Sequence, residues 1–285
     1  MKNRGYAFVA ATAMCLAVIP ALWAQGPARG GRTAAPADLS GYWVAVVSED
    51  WRHRMATPKK GDFESIPLNA EGTRVANTWD LAKDDSAGLQ CKAFGVGGIM
   101  RQPSRLHITW QDDNTLKIDF DAGTQTRLLN FDRSKQATGE KSWQGHSIAQ
   151  WETPPGGGRG AAAVRAQLGN STGPIAPGGG GRGQRGGPSL ADSLNQGGSL
   201  KVVTTNFREG YLRKNGVPYS ETASITEYFH RLPSEAGEDT WLLVVTIIED
   251  SRYLMQPFYT STQFKLERDG SKWAPTPCRT APPPK

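Results

Sequence analysis

Cysteine and histidine are scarce in this chain, three and four among 285 residues, and each scarcity excludes some chemistry. No CxxC pair occurs, so a cysteine-based zinc site has no foundation. His53, His107, His146 and His230 stand far apart, without the HxH or HExxH spacing that sets two imidazoles on one face of an element. Neither a metal site nor a cofactor is therefore expected. The chain lacks Gly-x-Ser-x-Gly, which removes support for an α/β-hydrolase. Gly95-Val96-Gly97-Gly98 lacks the GK[ST] ending and the strand–turn–helix setting of a nucleotide loop.

Long apolar runs are also missing, with one exception at the start. Lys2 and Arg4 precede an apolar stretch over 7–22, and Ala24 supplies a small residue before Gln25. This pattern reads as a secretory signal over 1–24, cleaved after Ala24. The stretch is at the lower edge of the ~17–25 residues that span a bilayer, and no later segment reaches that length. The expected protein is exported, to the periplasm or beyond, with no membrane span after cleavage. Cleavage removes Cys15 and leaves Cys91 and Cys278, an even pair in an oxidising compartment, which predicts one disulfide. By chain entropy so long a closure is worth about 4–5 kcal/mol.

Positive charge is less concentrated than the net +6 implies. Lys2 and Arg4 leave with the signal, and Arg29 and Arg32 lie in a Gly/Ala/Pro linker over 25–37. Arg159, Arg165, Arg182 and Arg185 lie in a Gly-rich stretch over 153–198 whose only acid is Asp192. Setting these aside leaves the remainder near −1. A nucleic-acid partner is not expected, because the basic patch that would bind phosphates is absent. The linker and the 153–198 insert are too poor in apolar residues to fold alone, and residues 281–285 read as a frayed tail. One domain over 38–280 remains.

Within it the pattern is β. Leu106, Ile108 and Trp110 alternate with His107, Thr109 and Gln111, and Asp112-Asp113-Asn114 marks a turn. Leu116, Ile118 and Phe120 then alternate with Lys117 and Asp119. Further strands are expected over 42–48, 125–131, 143–152, 200–207, 221–231, 240–250 and 260–268. Asn215-Gly216 signals a type I′ hairpin. The fold class is all-β with a minor helix: an antiparallel barrel or curved β-sandwich, since a meander of this size must remove its edges. Residues 242–248 are apolar on both faces, so this strand should be covered on both sides or line an apolar cavity. Asn69 is placed to cap a helix over 70–83, with Val75, Trp79 and Ala82 on one face. This helix and the loop that follows should cover one end of the barrel.

The first strand begins Asp38-Leu39-Ser40-Gly41-Tyr42-Trp43. Gly41-x-Trp43 ahead of a β meander resembles the G-x-W motif of the lipocalin-like (calycin) barrels. The resemblance implies a closed barrel in which Trp43 plugs one end and packs against a basic side chain. The T-D-Y motif of that family has no counterpart; the nearest stretch is Glu238-Asp239-Thr240. The span from Asp38 to Cys278 is also similar to a family of secreted bacterial proteins that begin D-L-[ST]-G-x-W. That family has no established activity, so no catalytic residue is carried over.

Candidate site residues follow from the polar and aromatic clusters. The richest lies between Arg208 and Arg231 and holds Tyr211, Arg213, Tyr219, Glu227, Tyr228 and His230. Period two places Tyr228 and His230 on one strand face and Glu227 on the other. Arg101 and His107 flank Pro103 where a strand begins, and Arg suits a carboxylate or phosphate. The candidate ligand-binding set is Arg101, His107, Tyr211, Arg213, Tyr219, Tyr228 and His230. Glu227 and His107 are the candidates for acid–base chemistry. The leading expectation is a binding protein for a small apolar or amphipathic ligand held in the barrel. The alternatives are a cofactor-free isomerase, cyclase or hydrolase on the same scaffold, and an envelope interaction protein without a small ligand.

Overall fold

The computed structural model describes residues 30–137, 139–152, 198–232 and 239–284. The expected signal and almost all of the expected insert lie outside the described residues. Thirteen strands occur among those described. They are β1 (Gly41–Val46), β2 (Arg105–Asp112), β3 (Thr115–Phe120), β4 (Ala122–Gly123), β5 (Gln125–Asn130), β6 (His146–Glu152) and β7 (Ser199–Thr205), then β8 (Gly210–Arg213), β9 (Val217–Tyr219), β10 (Ser224–Arg231), β11 (Trp241–Glu249), β12 (Phe258–Glu267) and β13 (Thr276–Pro277).

Nine of them close into a barrel in the order β1-β12-β11-β10-β7-β6-β5-β3-β2, and β2 returns to β1. The all-β expectation holds, and the barrel rather than the sandwich is formed. Closure removes every edge, which is how a meander of short strands avoids pairing with other chains. The barrel is not wholly antiparallel. β5 and β6 run parallel and share only two residue pairs, Leu129↔Ser147 and Asn130↔Ile148. The cause is the connection over 131–145, which carries the chain back to the end where β5 began instead of turning tightly.

Alternation decides what faces inward. Leu106 and Ile108 of β2, Leu116, Ile118 and Phe120 of β3, Val202 of β7, Val244 of β11 and Phe264 of β12 are all buried in one core. Trp43 joins them fully buried, its Nε1–H donating to the Leu39 carbonyl at 3.0 Å. In β11, Leu242, Val244, Thr246 and Ile248 face inward, while Leu243, Val245 and Ile247 are half-buried on the outer face. That outer row keeps partial exposure to solvent.

One end of the barrel carries a cap formed by residues 49–103 and the β8–β9 hairpin. It contains α1 (Trp51–Met55), α2 (Ala70–Ala76) and α3 (Leu81–Ser86), followed by 3-10 turns at Gln90–Phe94 and Ile99–Arg101. Asn69 caps α2 as expected, accepting from the Gly72 amide at 2.8 Å. The single helix expected over 70–83 is instead two, because Asp80 caps a new helix by accepting from the Ala82 and Lys83 amides. Phe94, Ile99 and Met100 insert into the barrel core, and a second core of Val96, Phe207, Leu212, Val217 and Tyr219 holds the hairpin down.

The hairpin turn also differs from expectation. Arg213 pairs with Val217 across a three-residue loop, and only Gly216 in that loop has positive φ, at +84°. A type I′ turn needs two such residues, so this is the longer loop with glycine at its left-handed position. No side chain fits there: Trp79 packs directly against Gly216.

Cys91 and Cys278 are bonded, with an S–S length of 2.04 Å across a sequence separation of 187. The bond joins the cap to the segment around β13, which pairs in parallel with β4. Residues 30–36, expected as free linker, lie across the opposite end of the barrel. The Gly31 amide donates to Asn114 Oδ1 at 3.1 Å, and Trp151 Nε1 donates to the Gly31 carbonyl at 2.7 Å.

Candidate functional site

The lumen itself is filled. A side chain beside a void wide enough for water keeps some surface within a water molecule's reach. Trp43, Ile118, Val202, Glu227, Val244 and Phe264 keep none, with exposures of 0%. Packing of this density leaves no room for a guest among them.

Glu227 is one of the inward residues, and its partner is Arg127 of β5. Arg127 Nη2 lies 2.5 Å from Glu227 Oε2 and Nη1 lies 3.1 Å from Oε1, a fork-to-fork pair with both side chains fully buried. Arg127 Nη2 also donates to Thr204 Oγ1 at 3.2 Å, and Thr204 meets Ser147 Oγ at 2.8 Å. These four residues form a polar belt across β5, β6, β7 and β10. The belt crosses the short parallel seam between β5 and β6. A carboxylate held this way, out of reach of solvent, is set up to tie strands together.

The expected site residues therefore fall into four places. Glu227 is in the sealed lumen. His107 is on the outer surface of β2, stacked on Tyr42 with ring centroids 4.0 Å apart. Burial there lowers its pKa, against a smaller opposing pull from Asp119. Tyr228 and His230 share the outer face of β10 and face each other at 6.4 Å, away from the other candidates. Burial also lowers the His230 pKa. Arg101, Arg213, Tyr211 and Tyr219 are gathered in the cap.

Arg101 and Arg213 meet around Asp50. Arg101 Nη2 is 2.7 Å from Asp50 Oδ2, and Arg213 Nη2 is 3.7 Å from the same oxygen. Arg54, which the sequence did not single out, completes the cluster: its Nε donates to the Arg101 carbonyl at 2.9 Å. Its pKa is pushed down to about 10, first by burial and then by repulsion from Arg101, with Glu49 and Asp50 opposing. Lys214 donates to the Arg54 carbonyl at 2.7 Å. Arg54, Lys214 and Arg213 brace the cap by satisfying backbone carbonyls at helical turns and, at Glu64, in the loop before α2.

Tyr211 belongs to a cleft between α2, α3 and the hairpin. The cleft has a volume of about 290 Å³ and is lined by Trp79, Tyr211, Tyr253 and Pro218, with Asp80, Asp84, Glu209, Lys83 and Lys92 among its polar groups. Tyr211 donates its hydroxyl to Asp84 Oδ2 at 2.8 Å, and Lys92 Nζ lies 5.2 Å from the centre of its ring. Burial, then the bond to Asp84, raises the Tyr211 pKa far above the usual phenol value, so it stays a donor at any physiological pH. Tyr219 lies fully buried at the cleft's edge. Its ring presses on Gly95 and Gly97, where a Cβ would come within 2.2 and 2.6 Å. That close approach accounts for Gly95 and Gly97, while Gly98 is held free of a side chain by the Tyr211 and Ala93 carbonyls.

One further group of ligating side chains lies on the other side of the hairpin. His53, Asp62 and Glu64 each place a ligand atom within 4.8 Å of the others. No family model, no curated protein and no solved structure matches this chain.

Proposed function

We propose that this chain is an exported, lipocalin-like binding protein that holds a small amphipathic ligand in the cap cleft and not in the barrel lumen. The observation that carries the reading is the cleft itself: about 290 Å³, walled by Trp79, Tyr211 and Tyr253, with carboxylates and amines at hand. This is close to the ~300 Å³ at which small-molecule sites begin, and it sets aromatic walls among a lining rich in charged side chains. Aromatic faces favour a ring or a short apolar body, and Asp84, Glu209 and Lys92 would orient its polar end.

Export is supported by the signal-like start and the Cys91–Cys278 bond, which suits an oxidising compartment. Among the described residues no helix is long and apolar enough to cross a membrane. The lipocalin likeness rests on the closed barrel and on Trp43, buried behind Gly41 at the start of the first strand.

The test is native mass spectrometry of the purified chain, followed by calorimetric titration with whatever small molecule is retained. Glu209→Gln and Asp84→Asn are expected to weaken binding at least about tenfold while leaving the melting temperature nearly unchanged, since Glu209 is exposed and the amide oxygen introduced at position 84 can still accept from Tyr211. Retention of full affinity in both variants would move the ligand elsewhere and end this reading.

A further inference from the structure

We propose that His53, Asp62 and Glu64 form a binding site for a divalent transition metal of the zinc class. The site lies outside the cleft and does not depend on it.

Three elements build it. α1 turns His53 inward, and the loop over 59–65 doubles back beneath it. That loop is fastened by the hairpin: Asn215 Nδ2 donates to the Lys59 and Asp62 carbonyls at 2.9 and 2.8 Å. Arg213 Nη2 donates to the Glu64 carbonyl at 2.9 Å. The backbone that carries the two carboxylates is thus fixed through its own carbonyls, while the Asp62 carboxylate faces the Arg52 and His53 side chains.

His53 supplies the second, independent observation. Its side chain is only 9% exposed, yet its Nε2 has no hydrogen-bond partner. A buried polar atom left unpaired is costly and calls for an explanation. Asp62 Oδ1 is near, at 3.3 Å, but the two atoms are not aligned as donor and acceptor. That relation is the one expected of two ligands converging on a third atom. With metal–ligand bonds of about 2.0–2.1 Å, neighbouring ligands of a tetrahedral ion stand about 3.3–3.4 Å apart. The spacing of His53 and Asp62 matches, and Glu64 is within 4.8 Å on the solvent side, where rotation of a long, exposed side chain closes the gap.

One imidazole and two carboxylates make a borderline-to-hard donor set, suited to Zn²⁺ with Co²⁺ and Mn²⁺ as competitors. Three protein ligands fall short of the roughly six to eight oxygens of a calcium site. A fourth position remains open to solvent beside exposed Glu64. Two cations oppose the ion. Arg52 Nη2 is 3.7 Å from Asp62 Oδ2, on an exposed side chain free to swing away, and Arg213 is held against the loop backbone. Their presence weakens the site relative to a closed structural zinc site.

The experiment uses the chain purified without an affinity tag, titrated with Zn²⁺ by calorimetry and with Co²⁺ by visible absorption. One equivalent is expected to bind, Co²⁺ giving the intense bands of a tetrahedral ion. His53→Ala and Asp62→Asn are each expected to weaken binding at least about tenfold, Glu64→Gln less, and His146→Ala not at all. Asp62→Asn keeps side-chain shape and leaves the carbonyl bonds intact, so it decides the matter should His53→Ala fail to fold. Absence of binding by the wild-type chain, or affinity unchanged in Asp62→Asn, overturns the proposal.

Discussion

The barrel lumen and the cap handle their polar groups in opposite ways. In the barrel the strands, apart from the short β5–β6 seam, satisfy their backbone through the ladder, so inward side chains are free to be apolar. They are apolar almost throughout, apart from a few threonines and the belt through Arg127 and Glu227. In the cap the helices are five to seven residues long and most of the chain is loop. Backbone carbonyls there need partners from side chains, and Arg54, Arg213, Lys214 and Asn215 supply them. Polar and aromatic side chains accumulate where the ladder stops. The cleft and the His53 cluster, one on each side of the β8–β9 hairpin, are products of that shortage of regular structure.

Three measurements sharpen the contrast. The largest effect is expected where the two regions are joined. Cys91→Ser with Cys278→Ser removes the only covalent tie between the cap and the C-terminal segment and is expected to cost about 4–5 kcal/mol in urea unfolding. A loss below about 1 kcal/mol would mean that the cap is held without it. Next comes the belt. Glu227→Leu leaves a guanidinium buried without its partner and is expected to cost about 3–5 kcal/mol, whereas Arg127→Met with Glu227→Leu should recover most of that loss. A stable single variant would show that the lumen is less sealed than its zero exposures indicate, and would return Glu227 to the list of accessible carboxylates.

The smallest effect is a pH dependence on the outer barrel wall. Burial is the main cause that lowers the pKa values of His107 and His230, with Asp119 and Glu152 opposing it. The folded state therefore favours the neutral rings, and the unfolded chain takes up protons first on acidification. This contribution to stability is complete above the ordinary value of about 6.5 and is lost as pH falls below it toward the lowered folded values. The melting temperature should drop slightly more between about pH 7 and pH 5.5 in the wild-type chain than in His107→Gln/His230→Gln. Parallel curves for the two proteins would remove the histidines from the account.

Much of the barrel was legible in the sequence because a strand's period of two is a local property. Leu106, Ile108, Leu116, Ile118 and Phe120 announced their shared face within fifteen residues. The same rule put Glu227 opposite Tyr228 and His230. It could not say that Glu227 faces a sealed interior, because its partner Arg127 lies a hundred residues earlier on a strand three places away in the sheet. The parallel seam of β5 and β6 was hidden for a similar reason: the connection over 131–145 has no feature that declares its direction. In the cap, Tyr211, Tyr219, Arg101 and Arg213 stood out by residue type, yet Arg54 and Trp79 acquire their roles only from what packs on them. His53, Asp62 and Glu64 are close in sequence but follow no ligand spacing, since a loop held by Asn215 brings them together.

Composition and alternation alone determined that this chain builds an all-β domain and that Cys91 and Cys278 pair. Those properties depend on neighbours within a few residues or on simple counting. Which side chains are entombed and which are left facing a cleft was decided only by closure of the barrel and by the seating of the cap upon it. Burial is set by contacts between residues distant in sequence, and no local pattern records them.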